Sequence, residues 1–199
     1  MGRYFDIEPH IAGLRRFALA LVLQRNDTSE ATARRADAIV QRCVASAMAT
    51  GEATTAGDMR LLLLNAAIQH NRARLRQEKF FAGSEPMAGR HYCNAAAEAE
   101  SMPPEQRATR KAMAQLPVDC REVMLLVVLA ELSYVDAAQI LGLSLSETFA
   151  RLTRARLAFG GALGQQLEAG MAAPGDNGRQ VAGMHGPRRA AAQHLRLVK

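Results

Sequence analysis

Apolar residues recur along this 199-residue chain at intervals of three and four, in blocks separated by turn-forming residues. Ile11, Leu14, Ala18, Leu21 and Val22 predict a first amphipathic helix of about four turns. Asn26-Asp27-Thr28-Ser29 interrupts it with residues that bond their own backbone in turns. A second helix places Ala36, Ile39, Val40, Cys43, Val44 and Ala47 on one face. A small, polar loop from Gly51 to Gly57 separates it from a third, which carries Met59, Leu62, Leu63, Ala66 and Ala67 and then turns basic at Arg72, Arg74, Arg76 and Lys79. Three such helices close one small bundle, assigned here to residues 8–82. Residues 83–104, punctuated by Gly83, Pro86, Gly89, Pro103 and Pro104, predict a linker. A second helical unit is expected over 105–170. Residues 171–199 lack apolar periodicity and predict a disordered basic tail. The expected class is all-α, two small helical domains joined by a linker.

Capping signals divide the second unit. Asp119 with Glu122 predicts one helix start, and Val123, Leu126, Val127 and Ala130 form the inner face behind it. The run Val123–Ala130 has the alternative of a buried strand. Ser133 with Asp136 opens a short helix through Ala137, Ala138, Ile140 and Leu141, and Gly142 stops it, since glycine takes a left-handed position without a Cβ clash. Ser144 with Glu147 starts the next helix almost at once. Two turns of helix, a tight glycine-containing turn and a longer helix make a helix-turn-helix. In its second helix Thr148, Leu152, Ala155 and Phe159 face inward, while Ser146, Glu147, Ala150, Arg151 and Arg154 take the other side. Small residues let such a helix enter a major groove, where arginine reads guanine. Arg151, Arg154 and Arg156 also suit phosphates, the main source of affinity. The plainer alternative is a helical hairpin with a solvated basic face and Glu147–Arg151 as an ordinary i,i+4 pair.

Composition supports helices: hydrophobic residues make up 49% and aromatics 5%, with no Trp. The net charge of +6 suggests a polyanionic partner. Arg179, Arg188, Arg189, Arg196 and Lys199 against Asp176 put +4 of it in the tail, so net charge gives nucleic-acid binding only modest support. Three cysteines, Cys43, Cys93 and Cys120, without a CxxC predict reduced thiols in a cytoplasmic protein. His91 and Cys93 lie close, but no second ligand pair follows, and a solvated loop is the expectation. The apolar runs Phe17–Leu23 and Val123–Ala130 are too short to span a membrane. Arg15-Arg16 before the first run mimics a signal peptide, but Asp6 and Glu8 precede it and no small-residue cleavage site follows. There is no glycine-rich phosphate loop, metal-ligand spacing or nucleophile motif, and the carboxylates Glu98 and Glu100 fall in the linker. No enzyme activity, cofactor or metal is expected.

The stretches Gln115–Leu126, Glu131–Gly142 and Thr148–Arg156 together resemble the C-terminal domain of extracytoplasmic-function sigma factors, over about 45 residues. The resemblance implies a four-helix unit that contacts an upstream promoter element and the flap of RNA polymerase. It puts Ser144, Ser146, Glu147, Thr148, Arg151 and Arg154 on the DNA-facing stretch, with Glu147 where a small or hydroxyl residue is usual. More faintly, Leu14–Leu21 is similar to the first helix of the family's other domain. Ala36–Gln41 is similar to its polymerase-clamp segment, implying Asp37, Ile39, Val40 and Gln41 as polymerase contacts, with Ala38 and Arg42 where acids are usual. Asn65–Ile68 resembles its promoter-melting helix, with Gln69 in place of Asp and the preceding Trp-Leu-Phe missing. Arg72, Arg74 and Arg76 keep a basic edge suited to phosphates; a solvated helix end is their plainer reading. Three functions follow: a divergent sigma factor that binds promoter DNA and core RNA polymerase; a sigma mimic that binds an anti-sigma factor; or a regulator using the helix-turn-helix alone.

Overall fold

The structure, a computed structural model, describes residues 7–25, 29–50, 55–81 and 102–171. Its elements are α1 (Glu8–Leu21), α2 (Ser29–Thr50), α3 (Ala56–Phe81), α4 (Pro104–Gln115), α5 (Val118–Met124), α6 (Tyr134–Leu141) and α7 (Leu145–Met171). A π-helical segment, Leu125–Leu129, continues α5, so the Val123–Ala130 run is helical and the strand alternative falls. The fold is all-α among the described residues. Most of the expected linker and nearly all of the expected tail lie outside them, as do His91 and Cys93.

Helices α1, α2 and α3 pack mutually, and α7 packs on α4, α5 and α6. On α1 the inner face consists of Leu14, Phe17, Ala18 and Leu21; Ile11, expected there, is exposed at the rim. Pro9 sits in the first turn of α1, where no intrahelical bond to its nitrogen is needed. A capping box absent from the sequence reading starts α3. The Asp58 amide donates to Thr55 Oγ1 (3.1 Å), and the Thr55 amide donates back to Asp58 Oδ2 (3.0 Å).

The start of α5 corrects the sequence reading. Pro117 occupies the N-cap, Asp119 lies inside the first turn, and Glu122 is buried rather than turned back to the helix end. The far end closes on Glu131, a non-glycine residue with φ 50°; beyond it the Leu132 amide donates to Leu126 O (3.0 Å).

Ser133 and Gly142 behave as expected. The Ser133 hydroxyl accepts from the Asp136 amide (3.1 Å), and Gly142 takes φ 68° and ψ 40°. The amides of Gly142 and Leu143 donate to Gln139 O (3.2 Å) and Ala138 O (3.0 Å), closing α6 with a Schellman turn. A Cβ at Gly142 would meet nothing within 4 Å, so Gly142→Ala costs backbone strain alone. The expected loss is about 1–2 kcal/mol, read as a lower urea midpoint; an unchanged midpoint would contradict the left-handed turn.

One contiguous core runs through both helical units, joining Leu14, Phe17, Ile39, Leu63 and Ile68 to Leu116, Val123, Leu126 and Leu152. Polar side chains cross the same seam. Arg121 of α5, 5% exposed, donates through Nη1 to Leu21 O and Leu23 O at the end of α1. Through Nη2 it donates to Ala114 O (3.2 Å) and Leu116 O (3.0 Å) at the end of α4. Its charge therefore faces two helix C-termini, the ends that attract cations. Arg60 of α3 donates to Ala130 O, and Arg72 of α3 pairs with Glu122.

Candidate nucleic-acid interface

The two helices of the turn motif, α6 and α7, are set by the bend at Gly142 and the cap at Ser144, whose hydroxyl accepts from the Glu147 amide (3.2 Å). Thr148, Leu152 and Ala155 are fully or almost fully buried, with Phe159 half-buried beside them. That anchors α7 and leaves Ser146, Ala150, Thr153 and Arg154 along its outer side. Thr148 therefore leaves the candidate DNA contacts: it is sealed inside, and its hydroxyl donates to Ser144 O (2.9 Å), so it shapes the helix rather than touching a groove.

Ser144, Ser146 and Glu147 are exposed, with the two serine hydroxyls 3.1 Å apart. Arg151 donates to Glu147 Oε1 at 2.6 Å, one turn back. Such a pair stabilises a helix by a few tenths of a kcal/mol, roughly, and it neutralises Arg151 locally. Arg154 and Arg156 stand exposed. The sequence reading missed an aromatic pair: the rings of Tyr134 on α6 and Phe149 on α7 lie 4.4 Å apart at 44°. They tie the two helices together at the surface. Aromatic residues near the starts of two consecutive helices joined by a tight turn were the available signal.

The N-terminal candidates are scattered. Asp37 on α2 binds Arg15 on α1 at 2.7 Å; the bonded guanidinium holds the Asp37 carboxyl below its usual range and raises the Arg15 pKa. Val40 is half-buried and Gln41 exposed. Ile39 is 3% exposed, packed in the core, so it offers no surface to a polymerase and that expectation is corrected. Of the basic edge, Arg76 is exposed, while Arg74 binds Glu78 (2.5 Å) and Asn71 (2.9 Å). Arg72 turns inward to Glu122, so its plainer reading as a solvated helix end also fails.

Buried Cys43 has its thiol pushed up to about 12 by desolvation. Cys120 is raised by burial and by the neighbouring Asp119 carboxylate. Both stay protonated at neutral pH and are poor nucleophiles. Among the described residues no cluster of His, Cys, Asp and Glu could hold a metal, and no helix is long and apolar enough to cross a membrane.

Comparison with known proteins adds two findings. The profile of the family described as Sigma-70, region 4 matches residues 106–159, which run from α4 through the helix-turn-helix to Phe159. Among solved structures, the chain is similar to one in the co-crystal structure of the sigma factor RpoE in complex with the anti-sigma factor NepR from Bartonella quintana. The two are 23% identical with a TM-score of 0.54, over 81% of this chain and 94% of that one. No curated protein matches the sequence. Residues 106–159 are thus similar to the sigma-70 region 4 family, and the chain shares the all-helical fold of that sigma factor.

Proposed function

We propose that this protein is a sigma factor, acting in the cytoplasm, that binds core RNA polymerase and directs it to a set of promoters through α7. The observation that carries the reading is the bend at Gly142, which leaves Ser146, Ala150 and Arg154 on an open ridge within the region 4 match. Such a ridge fits a major groove: the small side chains permit close approach, and Arg154 supplies a fork of donors to guanine or phosphate. Asp37 and Gln41 on α2 are the remaining surface candidates for the polymerase contact, and Arg76 for nucleic-acid backbone.

The test is reconstitution. The purified chain should co-elute with core polymerase and yield a promoter-dependent transcript; neither complex nor transcript sinks the proposal. Within it, Arg154→Ala is expected to weaken binding to the upstream element by about 1–3 kcal/mol. Arg151→Ala should cost less, because that guanidinium must leave Glu147 before it can serve DNA. Equal affinities for wild type and Arg154→Ala across a salt titration would contradict the ridge as a DNA contact.

A second reading is supported by the enclosure of Arg72 and Ile39, and by Ala38 and Gln69 in place of acids. It makes the chain a sigma mimic that binds an anti-sigma factor and ignores promoters. The similar RpoE was crystallised with an anti-sigma factor. Capture of a small anti-sigma protein by a chain that fails the reconstitution would favour it over the first.

A further inference from the structure

We infer that two copies of this chain pair antiparallel through the second half of α7, along a stripe formed by Leu157, Gly160, Gly164 and Leu167. These residues follow one another at intervals of three, four and three, the repeat that keeps one seam of a helix turned toward a partner helix. The inner face of α7, with Leu152, Ala155 and Phe159, is already packed on its own chain, and the stripe lies on another side. Leu157 is 73% exposed and Leu167 42%, so two leucines stand in water at the ends of the stripe. The glycines between them are unusual inside a long helix, where only proline is poorer. None of Gly160, Gly161 and Gly164 makes room for another part of this chain, since a Cβ on any of them would meet nothing within 4 Å. What their missing side chains permit is the close approach of a backbone from outside.

The charges choose the partner and its direction. A second α7 laid antiparallel sets Leu157 against Leu167 of the other copy at both ends, with Gly160 against Gly164 between them. In that pairing the positions flanking one side of the seam meet their own kind, which brings Arg154 beside Glu168 of the second copy, and again by the two-fold symmetry. Arg154 and Glu168 are both exposed, whereas Arg151 is spent on Glu147 of its own helix. A parallel pairing would set Arg156 near Gly161 and Leu163 near Glu168, with no opposite charges to match. Leu157 and Leu167 stand about 15 Å apart along the helix axis. The seam is therefore shorter than a standard protein interface, and the dimer forms at micromolar concentrations rather than below them. Arg154 serves a second copy or a duplex, one at a time, and the pairing does not depend on the promoter reading.

The test is sedimentation equilibrium of the full chain, reduced and without DNA, over about 1–500 µM. The unsubstituted chain should pass from monomer to dimer across that range. Leu157→Lys, at a side chain that carries little of the fold, should stay monomeric throughout with unchanged circular dichroism. Glu168→Arg should weaken the dimer about 10-fold, Arg154→Glu should do the same, and the two exchanges together should restore it. A chain that stays monomeric overturns the inference; if its Leu157→Lys variant also no longer co-elutes with core polymerase, the stripe belongs to polymerase instead. A dimer that survives Leu157→Lys, or one that the double exchange fails to restore, overturns it as well, since the contact or its direction is then different. If Leu157→Lys loses its helical circular dichroism, the charge exchange decides alone. A monomer that still directs promoter-dependent transcription sinks this inference and leaves the proposed function standing.

Discussion

Replacing Arg121 with alanine is expected to lower folding stability by about 3–5 kcal/mol, because four carbonyl oxygens at two helix ends lose their donors and each buried unpaired acceptor costs about 1–3 kcal/mol. The guanidinium is the one group that meets Leu21 O, Leu23 O, Ala114 O and Leu116 O together. Burial, then the nearby charge of Arg74, lower its pKa, while Glu122 opposes them. That direction records a cation held at some cost in desolvation and stabilised by the oxygens around it. Arg121→Lys should recover only part of the loss, since one ammonium cannot span the ends of two helices. Arg121→Met keeps an apolar stem and separates packing from bonding. Urea unfolding of the three variants is the measurement. A loss below about 1 kcal/mol for Arg121→Ala, the ordinary value for a single solvent-competed bond, would mean that the carbonyls find water and the arginine is no clamp.

Phe17→Ala should cost a similar amount, about 3–5 kcal/mol for a large side chain removed from a packed core. Phe17 is 1% exposed and belongs to the cluster shared by both units. Ile11→Ala, six residues earlier on the same helix, should cost less, about 1–2 kcal/mol, because that side chain is already 38% exposed. The two variants, compared by thermal unfolding, fix which stripe of α1 is buried. Equal losses would mean that α1 is rotated from the orientation described.

The contrast between Phe17 and Ile11 shows where the sequence is informative. Helical spacing locates α1 and names most of its inner face, but a stripe of apolar residues is wider than the contact it makes. The partner helices decide which edge is covered. Ser133, Gly142 and Ser144 were legible because caps and left-handed turns depend on residues within a few positions of one another. Thr55 with Asp58 carried the same kind of signal and was passed over as loop. Asp119 with Glu122 imitated it, because the spacing alone cannot show that a proline already holds the cap and that the glutamate has a partner 50 positions away.

Local order thus determined the helices, the bend at Gly142 and the side of α7 that faces solvent, since each depends on backbone chemistry and a repeat of about 3.6 residues. Whether an arginine is a free cation is a different kind of fact. Arg72, Arg74 and Arg76 are alike in the sequence, yet one is held by a buried carboxylate, one by its own helix, and one stands in water. Electrostatic partners are chosen by distance in space and by desolvation, both of which come into being only when the two units meet. The closing of the seam by Arg121 and Glu122 was therefore settled by the tertiary structure alone.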